Sequence, residues 1–132
     1  MQKEIRYLNV VSEIIHFLKG QMEVASRFGM ERSRLLIDPG IGFGKRLEDN
    51  LAILRSLSEF RVLEAPIVIG LSRKTFIRTL LEETDPNSVS VQRGSLTAAA
   101  IAAFQGAGVL RVHDVRPTRE ILRIVEGLRP SR

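Results

Sequence analysis

Three short apolar runs, each preceded by a stretch of helical periodicity and each closed by polar or turn-forming residues, limit what this chain can fold into. They are Leu35-Leu36-Ile37, Pro66 to Leu71 (PIVIGL) and Val109 to His113. A short apolar run bounded by Pro and Gly fits a strand of a parallel sheet buried on both faces. Ahead of the first run, Val11, Ile14, Ile15, Leu18, Met22 and Ala25 recur at three-and-four spacing, which predicts an amphipathic helix from Leu8 to about Phe28, stopped by Gly29. Ahead of the second, Glu48 and Asp49 suit the positive end of a helix dipole, and Leu51, Leu54 and Leu57 form an inner stripe. Beyond the second run, Ser72 is a candidate cap for a helix carrying Phe76, Ile77, Leu80 and Leu81, and Glu82 to Asn87 reads as a loop. A helix from about Val89 to Gln105 follows, with Leu96, Ala99, Ala100, Ala103 and Phe104 as a face suited to close packing. Pro117 suits a last helix start, and Ile121, Leu122, Val125 and Leu128 complete an amphipathic helix. Helices alternating with apolar strands imply an α/β fold of βα units around a parallel sheet, with right-handed crossovers.

In such sheets ligands gather at the carboxyl ends of the strands. The polar residues stand there: Asp38 to Lys45 after the first run, Ser72-Arg73-Lys74 after the second, and Arg111-Val112-His113-Asp114 at the end of the third. Three coincident clusters argue for one shared site.

DPGIGFGK, Asp38 to Lys45, matches neither standard phosphate loop. A P-loop needs Gly where Pro39 stands and Ser or Thr where Arg46 stands, and the dinucleotide GxGxxG spacing is absent. What remains is a strand-end carboxylate followed by glycines that admit a flat ligand, or equally a structural turn in which Asp38 caps a neighbouring amide. Lys74 is a candidate donor to a carbonyl or ring nitrogen. Arg111 and His113 alternate along the third run and so share a side, where an anion would compensate both. Asp114 fits either orienting His113 or capping the next helix.

Composition narrows the classes further. A chain of 132 residues with a formal charge of +5 invites a nucleic-acid reading, but Lys and Arg are scattered, the densest group lying between Arg111 and Arg132. One Tyr and no Trp leave few stacking platforms, so no nucleic-acid partner is expected. There is no Cys, and the two His residues, His16 and His113, stand far apart, which argues against zinc; His16 is read as a surface residue. No nucleophile motif supports covalent catalysis. No run reaches the roughly 18 residues of a membrane span, and MQKEIRYLNV lacks a signal-peptide core, so a soluble, cytoplasmic protein is expected.

IDPGIGFGK (Ile37 to Lys45), GLSRK (Gly70 to Lys74), RGSLTAAA (Arg93 to Ala100) and RVHDV (Arg111 to Val115) occur in the order and approximate spacing of the dihydropteroate synthases, which the chain resembles over essentially its whole length. The resemblance implies a TIM barrel of which residues 1–132 form the C-terminal portion, its last three parallel strands with their helices. It implies condensation of hydroxymethyl-dihydropterin pyrophosphate with p-aminobenzoate to dihydropteroate, releasing pyrophosphate, in folate biosynthesis. Carried over by motif, Asp38 binds the pterin, Lys74 reaches the pterin ring, and Phe43 and Ser72 help form the aminobenzoate pocket. Arg111 contacts pterin and pyrophosphate, His113 the same leaving group, and Gly70 gives the ring room. Asp38, Lys74 and Arg111 are the expected catalytic residues. Magnesium assists in this family through a ligand on an early strand, so no metal residue is assigned here.

A closed barrel takes about 250 residues. Three strands alone leave apolar faces and sheet edges open, so a missing N-terminal half or a homo-oligomer is expected, the late Leu96 to Phe104 face being a candidate contact, and the chain alone is expected to be inactive. Two other functions fit part of the pattern: a methyltetrahydrofolate-type pterin-binding methyltransferase, and a non-catalytic module that binds pterin or phosphate.

Overall fold

The computed structural model describes residues 8–130. Most of the MQKEIRYLNV stretch, and Arg132 of the C-terminal basic group, lie outside the described residues. Helix α1 (Val10–Arg27) begins where the Asn9 side chain accepts from Ser12 N–H at 3.0 Å. Its buried positions, Val10, Val11, Ile14 and Met22, lie on the predicted stripe, and His16 is exposed. Helix α2 (Leu47–Arg55) ends before Leu57, which is buried instead in a tight 3-10 segment, Leu57–Leu63.

The sheet contains β1 (Ile67–Gly70) and β2 (Ala107–Arg111), paired in parallel. The expected first strand is reduced to one bridging residue, Ile37, which pairs with Ile67 on the other side of β1. Ile37 N–H donates to Pro66 O at 3.0 Å and Ile37 O accepts from Val68 N–H at 2.8 Å. The next parallel rungs in either direction would need N–H groups on Pro66 and Pro39, and proline has none. Two prolines thus trim this strand to a single rung while leaving the chain in its place beside β1.

Strand β2 starts two residues earlier than expected, after Gly106 turns the chain at φ +111, and ends at Arg111 opposite Gly70. His113 therefore lies beyond the strand, because β1 has no further residue for it to pair with. Helices α3 (Thr75–Leu81), α4 (Val89–Phe104) and α5 (Val115–Leu128) complete the chain. Pro117 sits in the first turn of α5, where its missing N–H costs no helical bond. Gly94 of α4 faces α3 so closely that a Cβ there would lie 2.7 Å from Ile77 Cγ2.

The two faces of the sheet differ. Register and strand alternation put Ile37, Ile67, Ile69 and Ala107 on the helix-covered face, where all are buried. Burying each Ile there contributes about 1.5–3 kcal/mol. On the opposite face Leu36 is 57% exposed and Val109 42%, although both are apolar. Among the described residues, no helix is long and apolar enough to cross a membrane.

Candidate active site

The three strand ends lie side by side, because β1 pairs with β2 on one side and with Ile37 on the other. After Ile37 the chain turns on Asp38, whose Oδ1 accepts Gly40 N–H at 2.8 Å. The capping role that the sequence left open is therefore present. The loop is then pinned from below: buried Asn50 of α2 accepts Gly42 N–H on Oδ1 at 2.9 Å. Lys45 Nζ closes it from the side, donating to Gly40 O at 2.8 Å and Phe43 O at 3.2 Å. Asp49 anchors the exit, accepting from Arg46 Nε at 3.0 Å and Nη2 at 3.1 Å, and that guanidinium holds the Asp49 carboxyl below the usual aspartate range.

Lys74, at the end of the turn after β1, crosses to this loop. Its Nζ donates to Ile41 O at 2.5 Å and stands 4.8 Å from the centroid of the exposed Phe43 ring, a cation–π contact. Gly42, at φ +82, permits the crossing: a Cβ there would meet Lys74 Cδ at 3.1 Å. Burial pushes the Lys74 ammonium below the usual lysine range; Arg111 and Lys45 push the same way, and Asp38 opposes them. Phe43, Lys45, Lys74 and Thr75 line a cleft of about 280 Å³.

On the other side of β1, the Arg111 guanidinium lies over Gly70, where a Cβ would come within 2.7 Å of Nη2. Any other residue at position 70 would displace it. Ser72 Oγ and His113 Nδ1 share a hydrogen bond of 2.9 Å. Two expectations are corrected here. Ser72 does not cap α3, whose N-cap is Lys74, because its hydroxyl is engaged by His113. Asp114 does stand at the N-cap of α5, its carbonyl accepting from Thr118 N–H, but its carboxylate makes no cap and is not bonded to His113; it accepts from Arg73 Nη2 at 3.2 Å instead.

The geometry therefore joins Phe43 to Lys74, Lys74 electrostatically to Asp38 and Arg111, Arg111 to Gly70, and Ser72 to His113. Sequence reasoning assigned no role to Lys45, Asn50 or Ser95, and none of their partners follows from periodicity. Lys74 with Arg111, and Ser72 with His113, set donors at the strand ends that suit an anion.

The family described as pterin binding enzyme matches residues 1–113. The chain belongs to that family. It is 40% identical over 127 residues to the dihydropteroate synthase of Escherichia coli (strain K12), a match covering 96% of this chain and 44% of that protein. Its fold superposes on the dihydropteroate synthase of Thermus thermophilus in complex with 4-aminobenzoate with a TM-score of 0.89 and 43% identity, over 98% of this chain and 49% of the other. The same enzyme in complex with 6HMPPP gives a TM-score of 0.85 and 44% identity, over 93% and 47%. The chain thus spans about half the length of the pterin-binding relatives it matches.

Proposed function

We propose that this chain is the C-terminal half of a dihydropteroate synthase barrel and carries that enzyme's late strand ends. The supporting observation is that Lys74 lies within electrostatic reach of both Asp38 and Arg111, with a bonded Ser72–His113 pair on the same strand ends. The relatives' complexes with 4-aminobenzoate and 6HMPPP support the same substrate classes. The exposed apolar Leu36 and Val109 support a barrel interior that a further, N-terminal half completes.

In the proposed reaction the bond between the pterin methylene and the pyrophosphate oxygen breaks, the pyrophosphate leaving with the electron pair. The aminobenzoate nitrogen then bonds to the methylene and loses a proton. Arg111 and His113 meet the charge that grows on the leaving group, and Asp38 holds the pterin and offsets the positive charge on it. Lys74 lies between ring and amine, and Phe43 and Ser72 border the aminobenzoate. Gly70 leaves room for the Arg111 guanidinium, against which the pterin would lie.

Magnesium does not fit these residues alone. Among the described residues no three His, Cys, Asp or Glu side chains converge, and Asp38 stands beside two ammonium groups. No step is assigned to it. A homodimer through α4 and α5 is supported by Phe104, Ile124 and Leu128, which are exposed and apolar.

Competition binding tests the assignment. Hydroxymethyl-dihydropterin pyrophosphate should bind the chain and be displaced by inorganic pyrophosphate; displacement only by methyltetrahydrofolate would favour a methyltransferase. Dihydropteroate should form from p-aminobenzoate only when the N-terminal half is supplied. Robust turnover by the 132-residue chain alone would refute its half-enzyme nature.

A further inference from the structure

The RGSLTAAA motif contributes no group to the strand-end site, yet one of its residues reaches the turn that carries it. Ser95, buried on α4, accepts Arg73 N–H on Oγ at 2.9 Å and donates to Val91 O at 2.7 Å. Arg73 is one of few non-glycine residues here in the left-handed region, at φ +60, a conformation that costs about 1 kcal/mol or more unless its surroundings fix it. They do so at both ends of the residue. Its backbone N–H is met by Ser95, and its guanidinium reaches Asn87 Oδ1 at 3.0 Å and the Asp114 carboxylate at 3.2 and 3.4 Å.

The consequence lies on either side of Arg73. Ser72 bonds His113, beyond β2, whereas Lys74 bonds Ile41 O, beyond Ile37. Strand β1 is the middle element, so consecutive site residues must reach opposite neighbours. An extended residue between them would leave both side chains on one side of the chain, since residues two apart share a face. A left-handed residue breaks that alternation. We propose that Arg73, Ser95 and Asp114 act together as a clamp of positioning residues, holding the turn after β1 so that Ser72 and Lys74 reach the two flanking strand ends at once. None of the three needs to touch a substrate. The clamp also ties α4 and the start of α5 to the site, which accounts for the Ser of RGSLTAAA and the Asp of RVHDV.

The proposal rests on assigning the strand-end site to a pyrophosphate-bearing ligand, and the test separates the two. Arg73→Gly keeps the left-handed turn without strain but removes the fork; Asp114→Asn removes the charge; Ser95→Ala removes the hydroxyl and Ser95→Thr restores it. The 132-residue chain and each variant are titrated with inorganic pyrophosphate by calorimetry, with thermal unfolding and the NMR signals of the His113 ring recorded in parallel. Arg73→Gly and Asp114→Asn should weaken binding about tenfold at unchanged unfolding midpoints, since a charged hydrogen bond positions the donors rather than the core. Ser95→Ala should weaken it less, and Ser95→Thr should recover wild-type affinity. Variants that bind as the wild type does, with the His113 signals unmoved, would overturn the clamp. So would lowered midpoints that Ser95→Thr fails to rescue, which mark a purely structural role. If the wild type itself ignores pyrophosphate, the ligand assignment fails; the His113 signals then decide, displaced signals supporting the clamp and unmoved ones overturning it.

Discussion

Lys45 and Lys74 are both half-buried, and burial pushes both ammonium groups below the usual lysine range, yet their surroundings differ in sign. The carboxylates Asp38 and Asp49 raise the affinity of Lys45 for protons, and its hydrogen bonds close its own loop. Lys74 also feels Asp38, but Arg111 and Lys45 push against its charge. Two carboxylates offset the charge of Lys45, whereas Lys74 has one, set against two cations. Like charges held together at a strand end lower the affinity for protons and raise it for an anion, so the proposed function predicts a binding role for Lys74 and a bracing role for Lys45.

Substituting each in turn should separate these roles. Lys74→Met is expected to lower the affinity for hydroxymethyl-dihydropterin pyrophosphate on the order of 10²-fold, by losing a charged hydrogen bond. Its loss of stability should be no larger than that of Lys45→Met, because one carbonyl, Ile41 O, loses its donor. A lowered midpoint with unchanged affinity, seen by calorimetry and scanning fluorimetry, would reverse the comparison. Gly70→Ala comes next. The added Cβ would crowd Arg111 Nη2 at 2.7 Å, and because that is the far end of a flexible side chain, Arg111 should move while the fold stays. Affinity should drop about tenfold, the size expected when one charged hydrogen bond is missing or misplaced.

Lys45→Met should act the other way round. Gly40 and Phe43 carbonyls lose their donor, and stability in urea should fall by about 1 kcal/mol, a figure kept small because the group is partly solvated. Its effect on ligand affinity should be smaller than that of Lys74→Met; a larger one would make Lys45 the binding lysine.

The smallest effect is in pH. Both folded-state pKa values lie below the ordinary 10.5, so between them and 10.5 the unfolded chain holds more protons than the folded one. Stability contributed by these groups therefore rises with pH across that window. Affinity for the anionic ligand should fall in the same window, as Lys74 discharges. The fall should vanish in Lys74→Met and persist in Lys45→Met, by calorimetry over an alkaline series.

Much of this comparison was legible before the fold was known, because strand ends in a parallel sheet collect ligands and the polar clusters stood at the ends of apolar runs. Asp38, Lys74, Arg111 and His113 were singled out that way. The trimming of the first strand to Ile37 was also in the sequence, since Pro39 and Pro66 lack the two N–H groups a longer ladder needs, but it shows only once Ile37 and Ile67 are known to pair. His113 was placed within the strand because alternation has no natural stopping point; the length of the partner decides where pairing ends.

The sequence by itself determined the order of helices and apolar runs and the polar clusters at their ends, since these depend on spacing along the chain and on what Pro and Gly forbid. Only the tertiary structure decided the pairings among polar side chains. Arg73 meets a serine 22 positions away and an aspartate 41 positions away, and Ser72 meets His113 at the same separation of 41. Apolar burial follows a period because any neighbour in the core will serve, whereas a hydrogen bond needs one partner at one distance and angle, which only the packed helices bring into reach.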